Sequence, residues 1–409
     1  MAADAPVVDT KAGVDGGTLV RLTAAKTVAN VALRWIPPFL PTLERAFGAT
    51  TTQLTTVLGV GEAAGLSTVF VGRHLDRGRE RTVMVGALGL VGASAVLALA
   101  GTLTTFAVAF FILVLGVSNL TVAGQAWISH RVDYRWRARS LGLYETSWAI
   151  ALLVGAPIVA VLINLFGWRG PFVAIAIASV LAAVLVAVTL PTQSAATGLD
   201  RVDTAAGAGA AAADHAETPT STPITFRAWL VMIGSATTAM AGLSVFVISG
   251  SWLDDAFGVS TGGVGAVAML FGATELVSSL GSAAFADRLG KLRTTLAGLV
   301  GLFVGLTVMI SAGDRLLIGI VGIVVFLLGF ELAFVVSLAL VSESMPGARG
   351  STLAVSNAVG TVARASGAVL SGWLYGIHGI GGTAGLSAVA ATIAVGSLLL
   401  SRRLPSKRR

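Results

Sequence analysis

Apolar residues in this chain fall in long unbroken runs. Twelve runs of roughly twenty residues, with few charges inside them, stand at about 20–42, 52–71, 82–101, 104–128, 140–163, 171–190, 228–250, 261–285, 294–312, 316–341, 350–374 and 381–401. Runs of this length cross a bilayer as helices, whereas the strands of a membrane barrel are shorter and alternate. The pattern predicts an all-α membrane protein of twelve transmembrane segments, numbered 1 to 12 in chain order. Between segments 6 and 7 the stretch 194–223 is small, polar and rich in Ala and Gly, with two late prolines. It reads as a mobile linker. The expected division is a cytoplasmic tail (1–19), a six-helix bundle (20–190), a cytoplasmic linker (191–227), a second six-helix bundle (228–401) and a basic tail (402–409).

Composition narrows the class. The 409 residues are 55% hydrophobic and 11% charged, with mean hydropathy +0.87. A soluble protein carries about 25% charged residues, so this chain is not expected to cover itself with a wetted surface. Of 27 Lys and Arg, 22 lie in the tails or in even-numbered loops, with Arg21 and Lys26 counted as flanking residues of segment 1. Only Arg45, Arg169 and Arg315 lie in odd-numbered loops. Cytoplasmic loops hold the Lys/Arg excess, so both termini are expected inside. The net charge of +7 then reflects topology and contact with anionic lipid, and nucleic acid is not an expected partner. Residues 1–17 lack the apolar core of a signal peptide.

Several chemistries find no residues. There is no cysteine, and the four histidines are scattered, so no disulfide, metal or cofactor site is expected. No phosphate-binding G-x-x-x-x-G-K-[ST] motif and no hydrolytic constellation occurs. An enzyme is not indicated.

The two halves echo each other. "PTLERAFGATTTQL" (41–54) matches "SWLDDAFGVSTGGV" (251–264) at an offset of 210. "HLDRGRERT" (74–82) matches "FADRLGKLRT" (285–294), and "LVLGVSN" (113–119) matches "FLLGFEL" (326–332). A near-constant offset of half the chain indicates duplication of a six-helix unit. Many transporters are built this way, with the substrate site between the halves at mid-membrane.

The loop after segment 2, with Gly72, Asp76, Arg77, Gly78, Arg79 and Arg81, resembles the G-x-x-x-D-R-x-G-R-R signature of the major facilitator superfamily. It is echoed by Asp287, Arg288, Gly290, Lys291 and Arg293. The first copy has its glycine one residue early and Glu80 at a basic position; the second has Ala283 for the leading glycine. "PFLP" (38–41) and "FGWRGPF" (166–172) also fit that superfamily, and "DYRWRARSLGLYETSW" (133–148) resembles an efflux-type branch. Gly155 and Pro157 resemble part of a glycine–proline motif of proton-driven exporters. The resemblance implies that segments 1, 4, 7 and 10 line a cavity and that 2, 5, 8 and 11 form the seam between halves. It implies a cytoplasmic latch of Gly72, Asp76, Arg77, Arg81, Asp133, Asp287 and Arg288, with Asp76 facing the N-terminus of segment 11 and Asp133 the nearest acid for Arg77 and Arg81. Charges that serve only topology are the competing reading.

Charges inside a membrane are costly and usually paired or functional. Arg34, Glu62, Glu145, Glu275, Glu331 and Arg364 all fall on those two sets of segments. Equal depths suggest a Glu62–Arg364 pair, and Arg34 could reach Glu62 or Glu145. Glu275 and Glu331 are left without an obvious cation. An unpaired buried carboxyl tends to hold a proton, so Glu275 and Glu331 lead the proton-coupling candidates, followed by Glu62 and Glu145. Arg34 and Arg364 either neutralise glutamates or bind an anionic group. Asn30, Asn119, Gln125 and Trp148 are substrate-binding candidates, with Trp35 and Trp127 as further aromatic walls. Trp168 and Trp252 are expected at the membrane interface.

The expectation is a monomeric secondary transporter of a bacterial inner membrane, working by alternating access. It would export a small amphipathic or hydrophobic compound in exchange for protons. The alternatives are uptake of a small organic anion held by the arginines, and a membrane sensor or lipid-handling protein on the same fold.

Overall fold

The computed structural model describes residues 16–75, 77–190, 224–345 and 349–403. The described residues hold helices and short turns and no strand. Segment 1 is broken in two. Helix α1 (Gly16–Arg34) ends ahead of Pro37 and Pro38, and α2 (Leu40–Phe47) follows. Proline lacks the N–H that would continue the helix. Segment 2 also has two parts: α3 (Thr51–Glu62), a 3₁₀ turn (Ala63–Ser67) and α4 (Thr68–Leu75). Helices α5 (Glu80–Ala98) and α6 (Leu103–Arg131) are continuous. Segment 5 divides at Val154 into α7 (Tyr134–Leu153) and α8 (Gly155–Phe166), where the backbone N–H of Pro157 is missing. Helix α9 (Arg169–Thr189) completes the first half.

The second half has α10 (Phe226–Phe257), α11 (Thr261–Leu289), α12 (Lys291–Ile310) and α13 (Leu316–Glu343). A final helical stretch, α14 (Arg349–Arg403), is bent sharply at Gly379, where φ is 57° and ψ is −149°. That break falls between segments 11 and 12. Ten helices among the described residues are long and apolar enough to cross a membrane, the bent stretch counting once.

The sequence echo has a structural counterpart. Helix α2 stops on left-handed Gly48 (φ 60°), and α3 starts under the side chain of Thr50, which accepts from the N–H of Gln53. Helix α10 stops on left-handed Gly258 (φ 62°), and α11 starts under Ser260, which accepts from the N–H of Gly263. Glycine takes this backbone region without Cβ strain, and Ser or Thr satisfies a free N–H at a helix start. The same turn chemistry therefore recurs 210 positions later.

Short connections make successive spans antiparallel. The turns at 48–50, 99–102, 167–168, 258–260 and 311–315 lie at one end, called the far end; Gly16 and Arg403 lie at the other, the near end. Glycines let the halves approach toward the far end. A Cβ on Gly250 would stand 1.9 Å from the Pro38 carbonyl oxygen, and one on Gly372 would stand 1.7 Å from Thr55 Oγ1. Gly272 similarly admits the backbone of Leu153.

Candidate functional site

Lys26, Asn30 and Arg34 recur every four residues and share one face of α1. Each meets α7, which runs parallel to it. Lys26 Nζ donates to Glu145 Oε2 at 2.6 Å, Asn30 Nδ2 to Ser147 Oγ at 3.1 Å, and Arg34 Nη1 to the Trp148 carbonyl at 2.8 Å. Tyr144 lies beneath the lysine, with the ammonium 4.2 Å from its ring centroid. Lys26 is thus buried inside the bundle (side chain 2% exposed), not a flanking residue at the membrane edge. The four-residue spacing with Asn30 and Arg34 was the signal for this.

Arg34 reaches further. Its Nη1 and Nη2 hold both oxygens of Glu275 on α11, at 2.6 and 2.5 Å. Both side chains are 4% exposed. This bidentate pair joins the two halves, and it corrects two expectations: Arg34 meets neither Glu62 nor Glu145, and Glu275 does have a cation. The guanidinium also stands 4.3 Å from the Trp148 ring centroid and 5.4 Å from that of Phe246 on α10. Glu331 on α13 is buried. It lies within electrostatic reach of Glu275 and Arg34, yet has no ion pair or hydrogen bond among the described residues.

A second pair crosses the halves at similar depth: Arg364 Nε donates to Glu62 Oε2 at 3.1 Å, with both side chains partly exposed. Gln125 Nε2 donates to Glu145 Oε1 at 2.9 Å. The other polar candidates face their neighbours. Asn30 is fully buried against Ser147, and Asn119 bonds Ser67 and the Leu115 carbonyl. Trp35 and Trp127 are buried in the first half. Trp252 is also buried, edge-on to Phe257 near the far end of α10. By contrast, the Trp148 side of α7 is open: Trp148 is 41% exposed and the Glu145 side chain 46%.

At the far end, Arg45 Nη1 meets Asp254 Oδ2 at 2.6 Å, Ser251 Oγ donates to Glu44 Oε1 at 3.0 Å, and Thr52 Oγ1 donates to the Gly372 carbonyl at 3.0 Å. The first two contacts join the duplicated turns to each other. Burial and nearby Asp255 push the Glu44 carboxyl above its ordinary pKa.

The near-end latch candidates are less tied together. Asp76 lies outside the described residues. Among those described, Arg77 makes no ion pair, and Asp287 and Arg288 are exposed on α11 without one. Gly72 has open space where a Cβ would be. Arg81 and Asp133 each have an interaction partner. Glu80, at the basic position of the signature, is paired with His130 Nδ1 at 2.7 Å and Arg131 Nη1 at 3.3 Å. Lys291 pairs with Glu343.

The sequence pattern of the Major Facilitator Superfamily matches residues 22–248 and 230–409. The chain belongs to this superfamily. It is therefore a multi-pass membrane transporter of small molecules, not an enzyme. YwfA of Bacillus subtilis (strain 168), described as an uncharacterized MFS-type transporter, is 24% identical over 374 residues, covering 90% of this chain and 86% of YwfA. The fold matches a D-xylose–proton symporter with TM-score 0.72 at 16% identity, over 95% of this chain and 97% of that one. It also matches a bacterial homolog of the human lysosomal transporter Spinster, in an inward-facing and occupied conformation. There the TM-score is 0.72 at 15% identity, over 94% of this chain and 96% of that one.

Proposed function

We propose that this transporter exports a small amphipathic or hydrophobic compound from a bacterial cytoplasm in exchange for protons. In this reading the chain crosses the inner membrane twelve times as two six-helix bundles with both termini inside. The near end is then cytoplasmic, and in this reading the halves, joined by hydrogen bonds at mid-depth and at the far end, open toward it. The observation that carries the reading is the cluster Arg34–Glu275–Glu331: one cation and two carboxylates, all buried, at a site where the halves meet. Two carboxylates beside a single guanidinium cannot both be ionised cheaply. With a proton on Glu331, Arg34 and Glu275 form a closed pair and hold the halves as drawn. Loss of that proton sets Glu331 against Glu275 for the same arginine and loosens the clamp. Proton release toward the cytoplasm thereby favours the opposite opening, which links proton movement to alternating access. The proton coupling in the name of the D-xylose symporter is in keeping with this mechanism.

Uptake of an organic anion fits less well. Both Nη atoms of Arg34 are engaged by Glu275 and the guanidinium is buried, while Arg364 leans on Glu62. The test is proton flux in proteoliposomes with an internal pH dye, as lipophilic cations, neutral amphipaths and organic anions are added in turn. Compound-dependent flux that Glu331→Gln abolishes is the expected result. Substrate equilibration without proton flux would leave a uniporter or exchanger, with the glutamates as structural partners of the arginines.

A further inference from the structure

The ion pair Lys26–Glu145 is lopsided. Its cation is sealed away, 2% exposed and capped by Tyr144, while its carboxylate is 46% exposed. Gln125 donates to the second oxygen and orients the carboxylate. One helical turn on, Trp148 is 41% exposed on the same side of α7, and its ring stands 4.3 Å from Arg34, which binds the other half. The open surface at the seam therefore presents a carboxylate and an indole, with the neighbouring cations turned inward. A carboxylate beside an indole attracts a positive charge attached to an apolar body, through Coulomb attraction and cation–π contact together.

The charge count points the same way. Three cations stand at mid-depth: Lys26, Arg34 and Arg364. Three carboxylates pair with them, Glu145, Glu275 and Glu62, and Glu331 is a fourth that has no ion pair among the described residues. One negative charge is left over, and either a proton or a cationic ligand balances it. The two then compete, since each weakens the other's binding by the same factor.

We infer that Glu145 and Trp148 form the substrate subsite, and that the substrate is a cation with an aromatic or alkyl body. This rests on the transporter reading and names its substrate class. Lys26 positions the carboxylate from behind; the substrate docks on the exposed side and displaces the proton held at the seam.

The experiment is equilibrium dialysis of the purified full chain in detergent, with no gradient. The labelled probes are tetraphenylphosphonium, a tetraalkylammonium ion and a protonated tertiary amine, against tetraphenylborate as the anionic isostere. Saturable binding of at least one cation is expected, weakening tenfold or more from pH 8 to pH 5.5, with no saturable binding of tetraphenylborate. Glu145→Gln should weaken cation binding at least tenfold. Because that change leaves Lys26 buried without its counter-charge, the charge-balanced double variant Lys26→Met/Glu145→Gln is measured beside it and should lose binding equally. Trp148→Phe should retain binding and Trp148→Leu lose it. Saturable binding of none of the three cations, equal or tighter binding of tetraphenylborate, or unchanged binding in both Glu145 variants would overturn the inference. Cation binding without proton flux in liposomes would sink the coupling mechanism alone. Proton flux driven only by anions, with no cation bound, would sink this inference alone.

Discussion

Helix α1 carries two buried cations on one face, eight residues apart, and they serve different ends. Lys26 is satisfied within its own half, by a carboxylate that stays half exposed. Arg34 is satisfied across the seam, by a carboxylate as buried as itself. If its cation is lost, the carboxylate of the first pair is still half exposed, whereas that of the second is left buried. The first pair is therefore suited to meet a ligand, and the second to hold or release the two halves. Position along one helix face is shared, and access to solvent separates the roles.

The largest expected effect tests that contrast. Arg34→Met leaves Glu275 buried and unpaired and should cost about 3–5 kcal/mol. Thermal unfolding in detergent checks it, and Arg34→Met/Glu275→Leu should recover most of the loss. Lys26→Met should cost less, about 1–2 kcal/mol, since the stranded carboxylate is half-hydrated. Equal losses for the two variants would break the comparison. Next comes Gly372→Val. It drives a side chain into Thr55, and overpacking of about 1–3 kcal/mol should shift the halves toward an open far end, read as faster labelling of a single cysteine placed there.

The exposed Arg45–Asp254 pair should matter least for stability. Arg45→Ala is expected to change it by no more than about 1 kcal/mol. Its neighbour Glu44 adds a pH dependence. Its pKa is raised by burial at the closed far end and would be ordinary once that end opens to water. The closed end therefore holds the proton more tightly, and closure is favoured as pH falls. That preference fades as pH rises from the ordinary carboxylate range through the raised value. Far-end cysteine labelling should accelerate across that window in the wild type, and Glu44→Gln should flatten the response.

Much of this architecture could be read from the sequence, because membrane helices announce themselves by length and apolarity. The duplication was legible through paired turns whose Gly and Ser/Thr chemistry is local. The Glu62–Arg364 pair followed from equal depth on two segments that the family resemblance sets against each other at the seam. Arg34–Glu275 did not, since equal depth on segments 1 and 8 leaves rotation about each helix undetermined. Lys26 was misplaced because its distance from the start of an apolar run suited an interface lysine, which usually snorkels outward. Trp35, Trp127 and Asn30 were expected at a cavity, but composition does not say which face of a wholly apolar helix turns to its neighbours. The breaks at Pro37–Pro38, Ala63–Ser67 and Val154 subdivide single apolar runs, which hydropathy does not resolve.

The most direct test of the central mechanism is a pair of spin-label distances as a function of pH. The chain has no native cysteine, so introduced pairs label cleanly: His74→Cys with Leu289→Cys at the near end, and Ala100→Cys with Ser311→Cys at the far end. As pH rises from 5.5 to 8.5, the near-end distance in wild type should shorten and the far-end distance lengthen. Glu331→Gln, which mimics the protonated state, should stay in the near-open arrangement throughout. Distances that ignore pH in the wild type, or a Glu331→Gln variant that follows it, would contradict proton control of the seam by Arg34, Glu275 and Glu331.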